Sequence, residues 1–97
     1  MTKADIVADI ATETGLEKTE VLRAVEAFMG TIKTSLTRGN NVYLRGFGSF
    51  IVKERAQKTG RNISKKTTII IPAHNIPSFK PAKIFVKGVK SKVPVSK

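Results

Sequence analysis

The residues of this chain whose types and spacing can do chemistry are cations, and they crowd into one stretch. Between positions 53 and 66 stand Lys53, Arg55, Lys58, Arg61, Lys65 and Lys66, against the single acid Glu54. Gln57 and Asn62 lie among them, and from Lys53 to Ser64 the only apolar side chains are Ala56 and Ile63. In an extended strand, Lys53, Arg55, Gln57, Thr59 and Arg61 share one face, and Glu54, Ala56, Lys58, Gly60 and Asn62 share the other. Neither face can join a hydrophobic core. Cations and amides on a narrow ribbon that buries nothing suit a phosphate backbone and the acceptors of a DNA minor groove, where the negative potential is strong. A solvated surface accounts for scattered cations such as Lys33 and Arg38, but not for this concentration.

Other combinations offer less. His74 is the only histidine and there is no cysteine, so one chain cannot assemble a His/Cys metal site. His74 reads as a surface residue of a loop. Asp5, Asp9 and Glu13 recur every four residues and read as the solvated face of a helix rather than a metal site. No nucleophile–base pair and no phosphate-binding glycine loop is visible, so the chain reads as a non-enzyme without a cofactor. Phe47, Phe50 and Phe79 could stack on bases, but their glycine and proline surroundings favour core packing.

The charge map sharpens the division. Residues 1–54 hold seven Lys/Arg and seven Asp/Glu, whereas residues 55–97 hold eleven Lys/Arg and no acid, which accounts for the whole net charge of +11. A neutral half can fold and a cationic half must meet polyanions, so the chain reads as nucleic-acid-binding. A helix-turn-helix reader built on the first two helices is disfavoured, because residues 1–40 carry five cations and six acids.

Stepping along the chain gives the elements that must position these groups. Thr2 is an N-cap with Asp5 in the first turn; Ile6, Val7 and Ile10 follow at helical spacing, and Gly15 is a stop. A second helix is predicted from Lys18 to Arg38, with Val21, Leu22, Val25, Phe28, Met29, Ile32 and Leu36 on a stripe wider than the first helix can cover. A second copy of the same helix could cover the rest. The period then changes to two. Val42 and Leu44 pair with a strand through Phe50 and Val52 across the turn Arg45-Gly46-Phe47-Gly48. Thr67 to Ile71 is β-branched throughout and predicts a strand, which pairs with 53–62 into a two-stranded ribbon and ends at Pro72. Ile76 to Phe79 returns the chain to the core, and a short helix is predicted over 81–89, with Pro81 in its first turn.

At 97 residues there is room for one modest core and no disulfide to support it, which points to an oligomer. No run approaches the ~20 apolar residues of a membrane span, and the first residues lack the apolar stretch of a secretory signal, so a cytoplasmic location is expected.

Gly46-Phe47-Gly48-Ser49-Phe50, Glu54-Arg55-Ala56, Thr59-Gly60-Arg61-Asn62 and Ile76-Pro77-Ser78-Phe79, in this order over about residues 1–90, resemble the bacterial histone-like HU family, which includes integration host factor. The resemblance implies an α+β fold: two N-terminal helices, a three-stranded antiparallel sheet with a long protruding β-ribbon arm over about 53–74, and a short C-terminal helix. It implies one domain over 1–90, with 91–97 a flexible basic tail. It also implies an intertwined homodimer, or a heterodimer with a paralogue, whose arms enter the minor groove of double-stranded DNA, with bent, nicked or gapped forms preferred. Such a protein bends and compacts DNA in the nucleoid of the bacterial cytoplasm, with little sequence preference.

By position, Lys53, Arg55, Lys58, Arg61, Lys65 and Lys66 follow the groove and its phosphates, and Asn62 lies near base edges. Lys3, Lys80 and Lys83 hold the flanking backbone, and Lys18, Arg23, Lys87 and the tail lysines are weaker candidates. The family usually has a proline wedge after Arg-Asn; here Ile63 stands there, and isoleucine is also an apolar wedge, without the ring that fixes φ. Lys66 stands where the family usually has glycine, which implies a different tip turn or a tip disordered until DNA binds. The competing readings are a site-specific bender like integration host factor, and an RNA- or ribosome-associated protein that grips A-form helices by shape.

Overall fold

The computed structural model describes residues 1–62 and 67–95, and the expected helices and antiparallel strands form within them. The chain divides into two compact units, Met1–Ser35 and Leu36–Lys97.

In the first unit, helix α1 spans Lys3–Thr14. Its start is a capping box: the Asp5 N–H donates to the Thr2 hydroxyl at 3.3 Å, and the Thr2 N–H donates to the Asp5 carboxylate at 2.9 Å. The Thr2 N–H bond, with a second from the Thr2 hydroxyl at 3.0 Å, holds the Asp5 carboxyl below the usual aspartate range. Gly15, left-handed at φ 77°, ends the helix and donates its N–H to Ala11 O at 2.9 Å. Helix α2 spans Lys18–Thr37. Val7, Val21 and Ile32 are buried, the last two separated by about three turns of one helix face. Elsewhere on the stripe Val25 and Leu36 are half-buried, and Leu22, Phe28 and Met29 are exposed.

In the second unit, β1 (Val42–Leu44), β2 (Gly48–Arg55) and β5 (His74–Pro81) form an antiparallel sheet in the order β1-β2-β5. The β1–β2 turn closes with the Phe47 N–H donating to Leu44 O at 3.0 Å. Beyond the end of β1, the Val52 N–H donates to the Asn41 side-chain oxygen at 2.9 Å, so an amide stands in for the missing strand. Gly48 is buried, and a Cβ there would lie 2.6 Å from both Lys80 O and the Phe79 ring. Glycine is what lets that ring and that carbonyl approach the chain.

β3 (Lys58–Asn62) and β4 (Thr67–Ile71) pair separately, yet they keep the register of the sheet. Counting on from Arg55 opposite His74, through Ala56 and Gln57 against Ala73 and Pro72, arrives at Lys58 opposite Ile71. The interruption falls at Pro72, which has no N–H to offer a ladder.

The ribbon is shorter than expected, since Thr67–Ile71 pairs with Lys58–Asn62 alone while Lys53 to Arg55 belong to β2 and pair with β5, and the start and end of the last helix also differ. Pro81 is not in a helix: it ends β5 opposite Gly48, and Ala82 takes the N-cap position, donating its N–H to Phe47 O at 2.9 Å. A proline that closes a strand leaves no interior ladder bond unmade. Helix α3 then runs Lys83–Lys92, so it continues past Val89. Lys90 and Lys92 sit in its last turn, where the helix dipole favours cations.

Candidate nucleic-acid interface

Alternation along the β2–β5 pair sorts the side chains by chemistry. Phe50 faces Phe79 and Val52 faces Pro77 on one face of the pair. The phenylalanines gather there: ring centroids lie 4.9 Å apart for Phe50 and Phe79, 5.2 Å for Phe47 and Phe79, and 5.5 Å for Phe47 and Phe85. This supports core packing for the first three, and adds Phe85 from α3, which the sequence reading had not singled out. The helical spacing of Phe85 and Val89 was the available signal. The cluster is nevertheless open, with Phe47, Phe79 and Phe85 each more than a third exposed.

The other face carries Lys53, Arg55, His74 and Lys80, with Ile51 and Ile76 half-buried between them. Each of these basic side chains is exposed. Further along the ribbon, Lys58 is exposed opposite Ile71, Arg61 holds the register position opposite Thr68, and Asn62 the one opposite Thr67. Ile69, Ile70 and Ile71 are all exposed, so the ribbon buries no apolar strand of its own. Ile63, Lys65 and Lys66 lie outside the described residues.

Lys83 opens α3, a helix whose first turn has no acid and no capping side chain. Its first-turn N–H groups thus lack a side-chain cap. Lys80 precedes it by three residues, at the end of β5. Lys3 stands in the other unit, at the first residue of α1, where its ammonium is paired with Glu26 of α2. That hydrogen bond and charge hold the Glu26 carboxyl below the usual glutamate range, with Lys33 adding to the effect. Both side chains of the pair are half exposed, so the ammonium can change partners without opening the fold.

The structure thus brings Lys53, Arg55 and Lys80 to one sheet face, places Lys58 further along the ribbon on the opposite face, and has Lys83 three residues after Lys80. Lys3 is not part of that row within the second unit. His74 was read as a loop residue; it is the first residue of β5, and its Nδ1 lies 2.9 Å from Pro72 O. Among the described residues no group of three His, Cys, Asp or Glu could hold a metal ion, and no helix is long and apolar enough to cross a membrane.

Comparison with known proteins agrees with this arrangement. The family model for bacterial DNA-binding proteins matches residues 1–90. The chain is 41% identical to the DNA-binding protein HU of Xylella fastidiosa, over 94% of this chain and 97% of that one. It is equally similar to HU of Thermus thermophilus, over 93% of each chain. Among solved structures, HU of Anabaena in a cocrystal with DNA superposes with a TM-score of 0.89 at 32% identity, covering 93% of this chain and 98% of the other. HU of Thermotoga maritima gives 0.66 at 26% identity, covering 93% and 100%. With its helices, sheet and basic ribbon in the order these relatives share, this chain belongs to the bacterial DNA-binding protein family.

Proposed function

We propose that this chain is an architectural protein of duplex DNA, acting as a dimer whose two ribbons lie in the minor groove and stabilise bends. The observation that carries the reading is the ribbon itself. It continues the sheet in register, its described cations are exposed, and it has no core to serve. A two-stranded ribbon is marginal alone in water, so its stable state is one that lies on a partner. The names of its relatives, and a cocrystal with DNA among them, indicate which partner.

In this reading Lys53, Arg55, Lys58, Arg61, Lys65 and Lys66 contact the groove and its phosphates, Asn62 reaches base edges and Ile63 is the wedge. Lys80 and Lys83, with the uncapped start of α3, hold a flanking phosphate, since a helix N-terminus favours an anion. Lys3 takes another once it leaves Glu26. The dimer, a homodimer or one with a close paralogue, is supported by the open apolar groups. Phe28, Phe47, Phe79 and Phe85 are exposed, and among the described residues the buried hydrophobic side chains are Val7, Val21 and Ile32, too small a core for a stable monomer. Residues 1–90 form the binding domain and 91–97 add a basic tail. The setting is the nucleoid of a bacterial cytoplasm, where such a protein compacts the chromosome with little sequence preference.

The test is a titration at moderate salt of an intact random duplex and a nicked or gapped duplex of equal length. Tighter binding to the nicked form is expected, because a pre-weakened duplex costs less to bend. Equal affinity for both would mean a cationic coat without bending, and Ile63 would lose its role. Preference for one fixed sequence would favour a site-specific bender, and equal or better binding of duplex RNA would favour the A-form reading.

A further inference from the structure

We propose that Tyr43 donates its phenol O–H to a DNA phosphate on the basic face of the sheet, aimed there by Asn41; this rests on the DNA reading above. Tyr43 lies on the edge strand β1 and is 71% exposed. Register places it opposite Ser49, and Ser49 opposite Lys80, so the phenol belongs to the face that carries Lys80, Lys53 and Arg55. Its hydroxyl is held in place. The Asn41 side-chain oxygen accepts the Val52 N–H at 2.9 Å, which fixes the amide and turns its NH2 toward Tyr43 Oη at 3.3 Å. That NH2 can only donate, so the phenol oxygen accepts and keeps its own hydrogen for another partner. No acceptor for that hydrogen is found among the described residues.

The place of the oxygen indicates what that partner is. Bonded to Asn41, the phenol leans back along β1 toward residue 41. Counting back from Val42 opposite Phe50 sets residue 41 level with Ile51 and Ser78. Same-face rows of a sheet lie about 7 Å apart. The row on one side of this one carries Lys80, the row on the other carries Lys53, and Arg55 stands one row further. Asn41, Ile51 and Ser78 bring no cation to the middle row. An anionic backbone laid on this face therefore meets ammonium groups on either side and the phenol between them. A hydrogen bond to an ionised acceptor is stronger than a neutral one, and Glu54, the acid of β2, belongs to the opposite face. The contact differs in kind from those of the lysines. It neutralises no phosphate and releases no counterion, so it fixes where the duplex sits without adding to the salt dependence.

Tyr43 is the one tyrosine of the chain and there is no tryptophan, so intrinsic emission reports this ring. The experiment titrates the full chain with a random duplex at several salt concentrations, as wild type, Tyr43→Phe, Asn41→Ala, the double variant and Lys80→Gln, with affinity read on the folded fraction. Tyr43→Phe should bind about three- to tenfold more weakly, with an unchanged slope of log affinity against log salt. Lys80→Gln should weaken binding and also make the slope shallower. Asn41→Ala should weaken binding by itself and add nothing on top of Tyr43→Phe, because it acts through the phenol. Wild-type tyrosine emission should change on saturation with duplex. Tyr43→Phe affinity equal to that of the wild type, emission that ignores the duplex, or a loss accompanied by a shallower slope or a large fall in melting temperature overturns the phosphate contact. Additive losses in the double variant overturn the positioning role of Asn41. Failure of the wild type to bind duplex at any of these salts overturns the DNA reading itself.

Discussion

Residues 1–35 carry four cations and six acids and contain the buried hydrophobic side chains Val7, Val21 and Ile32. Residues 36–97 carry fourteen cations and one acid, and none of their described hydrophobic side chains is buried. The first region is specified by a capping box, a left-handed glycine and a helical stripe. The second is held by a ladder in one register and by phenylalanines that touch one another while remaining open to solvent. One chain thus separates two tasks by electrostatics. Near-neutral helices can pack against a copy of themselves without repulsion, while the cations are kept on a surface that folding does not consume. The division predicts that binding and stability can be altered independently.

The largest effect should come from the ribbon. In the proposed two-armed dimer, replacing Arg55, Lys58 and Arg61 together by Gln would remove six of the proposed phosphate contacts. Affinity for duplex DNA at fixed moderate salt should fall on the order of a hundredfold or more. The salt dependence checks the same contacts. With about eight phosphates neutralised, log affinity of the wild type should fall against log salt with a slope of roughly −7, and the triple variant should show a clearly shallower slope. A wild-type slope shallower than about −2 would break the contact scheme. The melting temperature should hold steady, because Arg55 and Lys58 are exposed; a large fall would mean that the arm contributes to folding and the two regions are not separable.

Gly48 offers the converse experiment within the second region. A methyl group at this position meets the Lys80 carbonyl and the Phe79 ring at 2.6 Å, and a backbone carbonyl cannot step aside as a flexible side chain would. Gly48→Ala should destabilise the protein by about 2–3 kcal/mol, read by denaturant unfolding. DNA affinity should decline only as folded dimer is lost. In the first region, Val21→Ala should cost about 1–3 kcal/mol through loss of buried methyl groups, again leaving the salt slope of the remaining folded protein unchanged.

The two regions also differ in how legible they were. Local chemistry sets helix ends, so Thr2, Asp5 and Gly15 gave α1 to the residue, and hydrophobic period gave α2 to within one. The β-branched run from Thr67 gave β4. Pro81 misled because proline suits both a helix start and a strand end, and only the partner strand, with Gly48 opposite, decides between them. Helix α3 outran its expected end because Lys90 and Lys92 look like tail composition while also suiting a helix C-terminus. The basic row was legible as composition, since charge needs no fold to be counted. Its arrangement was not: that Lys80 shares a sheet face with Lys53 and Arg55 depends on register, and register is a property of two strands. Phe85 and Glu26 escaped for the same reason, being defined by contacts with residues far away in the chain.

The smallest effect tests the one basic residue that the first region contributes. Lys3 is paired with Glu26 and, in the proposed complex, turns to a phosphate, so Glu26→Gln should free the ammonium and remove a like-charge obstacle to DNA. Binding should tighten by about twofold, with no change of fold. The same variant has a pH signature. The Glu26 carboxyl is lowered in the folded protein relative to its usual value of 4.5, so its contribution to stability is present above that value and disappears as pH falls through the lower folded one. The wild type and Glu26→Gln should therefore differ slightly in melting temperature at neutral pH and converge in acid. Asp5, lowered by its contacts with Thr2, remains to give both proteins a common acid limb. If Glu26→Gln weakened DNA binding instead, Glu26 would be positioning Lys3 for the phosphate rather than competing with it, and the acidic first region would be part of the binding surface.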